Sequence, residues 1–280
     1  MSRFSHRCPQ YRPVCCAALA LLLLLCPKLQ AKALHPAAIP DSPSTTSPVL
    51  GDISRPNLST VAANALVGPP MPLIVVGFMG GDVRASNLVH REASMARDLQ
   101  RRYPQGVRAM VFANRDGSAA LKAVLQMLDG NRDGRLSSQE KNAARIVIYG
   151  HSWGASETVT LARRLNQRDI PVLLTIQVDS VEKFREDDGR IPSNVRAAIN
   201  FYQSDGLLHG RSLIEAMNPA KTEILGNIES TYKTHSISCA GYPWYARAFM
   251  KPHIEIENDP RVWNRIEALI GREVILGAAR

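Results

Sequence analysis

The chain has 280 residues, 45% hydrophobic and 21% charged, with 18 Gly and 18 Pro. That is ordinary globular composition, which excludes a collagen, a long coiled coil and a wholly disordered chain. The length suits one large domain with tails or two small ones, and the net charge of +9 is unevenly spread.

Residues 1–13 hold Arg3, Arg7 and Arg12 and no acid, and Val14 to Cys26 are an unbroken apolar run. Pro27 and the small-x-small site Ala31-Lys32-Ala33 follow. A basic head, an apolar middle and such a site predict a secretory signal peptide over 1–33, and so a secreted or periplasmic protein. Thirteen helical residues reach only about 20 Å, short of a ~30 Å hydrocarbon core, so no stable membrane span is expected after cleavage. The alternative is an uncleaved anchor. Cleavage would remove five basic residues and lower the net charge to +4. No Lys/Arg stripe interleaved with aromatics is present, so no nucleic-acid partner is expected. Four of the five cysteines lie in the leader, and Cys239 alone stays. With no disulfide possible, it reads as a small buried hydrophobe.

Residues 34–71, rich in Pro, Ser, Thr and Ala, cannot bury enough apolar surface to order themselves and read as a linker or loose arm. From 72 to 280, short apolar runs alternate with amphipathic stretches. The runs are LIVVGF (73–78), VRAMVFA (107–113), RIVIYG (145–150), PVLLTIQV (171–178) and AAINFYQ (197–203). Helical stretches are expected over 86–102, with Leu88, Met95 and Leu99 inward, and over 118–128, 153–166 and 259–272. In the last, Pro260 takes the first turn and Val262, Ile266, Leu269 and Ile270 face the core. Short strands buried on both faces, alternating with helices, predict an α/β domain with a mainly parallel sheet flanked by helices. Trp153, Trp244 and Trp263 are expected to be packing residues.

Gly150-His151-Ser152-Trp153-Gly154 stands between the third strand and its helix. G-x-S-x-G at such a corner lifts a serine hydroxyl clear of the sheet, and the helix aims free N–H groups at a developing oxyanion. IVIYGHSWGAS resembles the nucleophile elbow of the α/β-hydrolases. The resemblance covers roughly residues 72–272 in order of elements and lacks any large lid insertion. It implies a triad in the chain order serine, acid, histidine. Ser152 is the implied nucleophile, and His253, ahead of the last helix, is the implied base, with His235 and His209 as rivals. Asp179 and Asp205 each end a strand and both stay open as the acid. The continuous apolar strand before Asp179 favours it, and Asp205-Gly206 could be a turn. The resemblance places the oxyanion donors at the Trp153 N–H and in Gly77-Phe78-Met79-Gly80-Gly81, at Phe78 before Met79. His151 is given a packing or substrate-side role.

Residues 129–140 read DGNRDGRLSSQE. Asp129, Asn131, Asp133, Gly134 and Glu140 fit D-x-[DN]-x-[DN]-G-x5-E at every fixed position. Alternate residues turn oxygens inward, Gly134 bends the chain, Arg135 offers its carbonyl and Glu140 closes with two oxygens. The segment resembles an EF-hand loop and implies a Ca²⁺ cofactor. It has no second loop to pair with, so a structural site is expected rather than a sensor. Together these readings point to a secreted serine hydrolase of small-molecule or lipid esters. The alternatives are a thioesterase or amidase of the same fold and a non-catalytic binding protein.

Overall fold

The computed structural model describes residues 71–278. The expected leader over 1–33 and nearly all of the arm over 34–71 lie outside the described residues. In chain order the elements are β1 (Leu73–Met79), α1 (Arg91–Arg102), β2 (Val107–Ala113), α2 (Gly117–Leu128), α3 (Ser138–Asn142), β3 (Ile146–His151) and α4 (Trp153–Asn166). They continue as β4 (Val172–Val178), β5 (Arg190–Ile191), β6 (Val195–Tyr202), β7 (Glu215–Ala216) and β8 (Glu223–Glu229). Three helices close the chain: α5 (Trp244–Phe249), α6 (Lys251–Asn258) and α7 (Pro260–Ala278).

Six strands form one sheet in the order β2-β1-β3-β4-β6-β8, and every pairing is parallel. Period-two alternation divides the side chains between two cores. Leu73, Val75, Val147 and Tyr149 face Met95 and Leu99 of α1 and Trp263, Ile266 and Ile270 of α7. Ile74, Val76, Phe78, Ile146 and Ile148 face Val124 and Leu128 of α2 and Val159, Leu161 and Leu165 of α4. This two-sided burial is why the strands read as continuous apolar runs. The chain moves from β1 outward to β2 and returns to β3 on the other side of β1. The carboxyl ends of β1 and β3 thus frame a switch point, where an open α/β sheet leaves a crevice.

The structure corrects several expectations. Helix α1 begins at Arg91, not 86, because residues 82–90 are taken up by turns, and Leu88 is exposed. Helix α7 runs on to Ala278, with Leu269 half-buried against the core. Trp263 is fully buried, but Trp244 is 69% exposed. Cys239 is buried. Between β4 and β6 stands only the two-residue β5. Among the described residues no helix is long and apolar enough to cross a membrane.

Candidate active site

Strand β3 ends at His151 and α4 begins at Trp153, so Ser152 alone makes the corner. Its backbone lies at φ 57° and ψ −126°, a conformation that costs a non-glycine residue about 1–3 kcal/mol. Four backbone bonds hold it there. The Ser152 N–H donates to the Val178 carbonyl at 3.0 Å, and its carbonyl accepts from Ala155, Ser156 and Val181. Gly154 is required by close approach. A Cβ there would lie 2.7 Å from the Met79 carbonyl oxygen, so any side chain would push α4 off the end of β1.

His253 lies on α6, a helix of its own between β8 and α7, and its ring is buried. Its Nε2 is 2.9 Å from Ser152 Oγ, and its Nδ1 is 2.7 Å from Asp179 Oδ2. Asp179, the residue after β4, is fully buried at φ 44°. Its Oδ1 accepts from the Gly210 N–H at 2.8 Å and the Gln203 N–H at 3.2 Å. Its Oδ2 accepts from Gln203 Nε2 at 2.8 Å as well as from His253. Burial opposes ionisation of this carboxyl, but the His253 and Gln203 bonds outweigh it and hold Asp179 below the ordinary aspartate value of 3.8. An ionised Asp179 places the ring proton on Nδ1 and leaves the Nε2 lone pair facing the serine hydroxyl. A proton can therefore pass from Ser152 to His253 over one hydrogen bond.

Parallel strands, helices on both faces, a strained serine after β3 and an imidazole near the C-terminus now stand together. The architecture is the parallel sheet flanked by helices that the α/β-hydrolase resemblance implies.

The rival residues point elsewhere. Asp205 Oδ2 accepts from Thr231 Oγ1 at 2.9 Å and from the Tyr232 N–H at 2.5 Å, and Lys233 lies beside Oδ1. His235 and His209 are exposed. The oxyanion reading needs one correction. Trp153 opens α4, where a helix has N–H groups without internal partners. Phe78, however, is fully buried inside the ladder, paired with Phe112 and Gly150. It is the backbone of Gly80 that comes up against the serine, since a Cβ there would be 3.2 Å from Ser152 Cβ. The Gly80 N–H itself donates to Glu92 Oε1 at 3.0 Å.

A second layer of charged groups lies behind the imidazole. His151 is buried with its ring 4.5 Å from that of His253, and its Nε2 is 3.1 Å from the His253 carbonyl oxygen. Burial brings His151 down to about 4 against the pull of the Glu257 carboxylate. Glu257 lies one helical turn after His253 on α6 and contacts His90 and His151. Burial opposes its charge, but the two imidazoles bring it down to about 2. Burial and then the nearby Glu257 push Glu92 well above the ordinary carboxylate range. Sequence reasoning missed Gln203, Gly210, His90, Glu92 and Glu257. Only the i, i+4 spacing of His253 and Glu257 on one helix offered a sign of them.

Away from this site, residues 129–140 wrap back on themselves. Asp129 accepts from the N–H groups of Asp133 and Gly134, and Asn131 accepts from Asp133. Gly134 turns at φ 79°, and Asp133 accepts from the Arg135 N–H. Glu140 reaches across the loop, its Oε1 accepting from Gly130 and its Oε2 from Ser137, which caps α3. The oxygen-rich residues thus share one loop closed by Glu140, which fits a hard cation bound through oxygens.

No protein-family model matches the chain, and no curated protein matches it. Solved structures with a similar course include RedJ, a thioesterase from the prodiginine biosynthetic pathway in Streptomyces coelicolor. It is 10% identical with a TM-score of 0.38, over 78% of this chain and all of that one. A thermostable esterase from Pseudomonas putida is 11% identical with a TM-score of 0.38, over 76% of each chain.

Proposed function

We propose that this chain is a serine hydrolase that cleaves carboxylic esters, of small molecules or lipids, through Ser152, His253 and Asp179. The observation that carries the reading is the unbroken hydrogen-bond line from Ser152 Oγ through His253 to Asp179, with Ser152 held at positive φ. Strain of that kind needs surrounding structure to maintain it, and a hydroxyl with a neutral imidazole behind it is an activated nucleophile.

In this mechanism Ser152 Oγ attacks the ester carbonyl carbon while His253 Nε2 takes its proton. The oxyanion forms beside the Trp153 N–H at the start of α4, where one well-placed donor is worth about 2.7–4 kcal/mol. The imidazolium returns its proton to the alkoxide, the C–O bond breaks and the alcohol leaves an acyl-serine. Water, deprotonated by His253, then attacks the acyl carbon and restores Ser152. Asp179 keeps the ring in the required tautomer and balances its transient charge throughout.

A Ca²⁺ ion in the 129–140 loop would be held by Asp129, Asn131, Asp133, the Arg135 carbonyl and Glu140. It would cross-link the segment between α2 and the strand that carries the elbow. We place the protein in a secreted or periplasmic compartment on the strength of residues 1–33. The test of the reaction is a matched panel of esters, thioesters and anilides assayed with the wild-type chain and Ser152→Ala. Ester turnover that vanishes in the variant supports the assignment. Turnover confined to thioesters or anilides would replace the substrate class, and turnover surviving the substitution would remove the mechanism.

A further inference from the structure

The layer of imidazoles and carboxylates behind His253 holds buried polar atoms with no hydrogen-bond partner. His151 Nε2 lies at hydrogen-bond distance from the His253 carbonyl, 3.1 Å, so that nitrogen must carry the ring proton. His151 Nδ1 lies 3.3 Å from Glu257 Oε2. Nδ1 has no hydrogen-bond partner, and neither does Glu92 Oε2, although both residues are more than nine-tenths buried. The nearby Tyr242 hydroxyl is also unpartnered, and its ring packs edge-on against His90. His90 Nδ1 is 2.6 Å from Glu257 Oε1. One ligand atom each from His90, Glu92 and Glu257 fall within 4.8 Å of one another.

We infer that His90, Glu92 and Glu257 form a binding site for a divalent transition-metal ion of the Zn²⁺ class. A cation among them would meet Glu92 Oε2, a buried oxygen with no hydrogen-bond partner, and the Glu257 carboxylate beside His90. Imidazole nitrogens with carboxylate oxygens suit Zn²⁺ and its neighbours, whereas Ca²⁺ and Mg²⁺ favour oxygen alone. Ligands at 2.0–2.1 Å around a tetrahedral ion lie about 3.3 Å apart, a spacing that the three donor atoms, now within 4.8 Å of one another, would adopt on loading. The shorter His90–Glu257 contact would open by several tenths of an ångström. His90 sits at the edge of the cluster, its side chain 13% exposed, and gives the ion a way in.

The placement has a structural consequence. Glu257 and His253 share α6, while His90 and Glu92 flank the start of α1. One ion would tie together these two elements, one of which carries the proposed base. This site is separate from the 129–140 loop in both residues and donor chemistry. It does not depend on the reaction proposed above, so Ser152→Ala should bind the ion as the wild type does.

The test uses the full chain, stripped of metal by chelator and dialysed, with Ca²⁺ present throughout. Zn²⁺ is titrated calorimetrically and Co²⁺ by its visible d–d absorption. The expected result is one ion per chain, a tetrahedral Co²⁺ spectrum and a rise in Tm on loading. Glu92→Gln and His90→Ala should each weaken binding by at least about 10–100-fold, while Glu140→Gln leaves it intact. His90 lies at the rim, so its variant should fold even if substitution of a buried ligand does not. No binding heat and no Co²⁺ spectrum with the wild-type chain would overturn the inference. So would affinity unchanged in both ligand variants.

Discussion

Replacing Asp179 with Asn should remove most of the activity while leaving the fold, because the surrounding donors dictate which way the new amide faces. Oδ1 is held by two backbone N–H groups, from Gly210 and Gln203, which cannot turn away. The amide oxygen must occupy that position, so its NH2 is forced toward His253 and Gln203 Nε2. Gln203 cannot rotate to accept, because its Oε1 already receives the N–H groups of Asp205 and Gly206. Facing an NH2, His253 Nδ1 must accept, which moves the ring proton to Nε2. The nitrogen 2.9 Å from Ser152 Oγ then has no lone pair to take the serine proton. A wrong tautomer of this kind lowers kcat by about 10⁴, which corresponds to about 5.4 kcal/mol of transition-state stabilisation. Loss of the charge-assisted bonds should also cost about 1.5–3 kcal/mol of stability. The assay is kcat on a chromogenic ester beside a thermal melt, with Asp205→Asn as control. The control should lower Tm slightly and leave kcat nearly unchanged, since its carboxylate serves Thr231 and Tyr232. Turnover of Asp179→Asn within tenfold of wild type, or a collapse of kcat in Asp205→Asn, would refute the reasoning.

Other outcomes follow from the same geometry. Asp179 ionises below 3.8 in the folded chain, so its contribution to stability is complete above that pH and is lost as pH falls through the lowered native value. Melting curves across the acid range should therefore decline less steeply for Asp179→Asn than for wild type, and parallel declines would contradict this. If the 129–140 loop binds Ca²⁺ with Kd of about 10⁻⁴–10⁻³ M, then 10 mM Ca²⁺ should add about 1.4–2.7 kcal/mol of stability. Glu140→Gln should abolish that increment, and a wild-type melt indifferent to Ca²⁺ would exclude the site. Gly154→Ala should lose about 1–3 kcal/mol through overpacking, and activity with it, because its Cβ meets the Met79 carbonyl. Gly106→Ala should be nearly silent, since a Cβ there finds only ordinary contact with Val274 at 3.4 Å.

The parts of this protein that were legible in its sequence are those in which burial leaves a periodic trace. Strands β1, β3, β4 and most of β6 are buried on both faces, so their runs announce a parallel sheet. Strand β8 escaped notice because EILGNIE lies at the sheet edge, half-exposed, and carries no apolar run. Helix α6 was hidden for the opposite reason: His253, Glu255 and Glu257 are buried along with Ile254 and Ile256, so polar side chains stand where a hydrophobic pattern would be sought. The order serine, aspartate, histidine and the placement of His253 were readable, but the choice between two aspartates was not. Both follow strands, and what separates them is that Asp179 reaches His253 while the Asp205 carboxylate turns toward Thr231. The His90–Glu257 contact spans 167 positions, so no local spacing could have revealed it.

The central claim is that Ser152 Oγ is a nucleophile primed by His253. The direct measurement is intact-protein and peptide mass spectrometry after treatment with an alkyl fluorophosphonate. The account predicts one adduct per chain, located on Ser152, with ester turnover falling in proportion to labelling and no adduct on Ser152→Ala or His253→Ala. A folded wild-type chain that takes up no adduct, or takes it up at another residue while turnover persists, would contradict it.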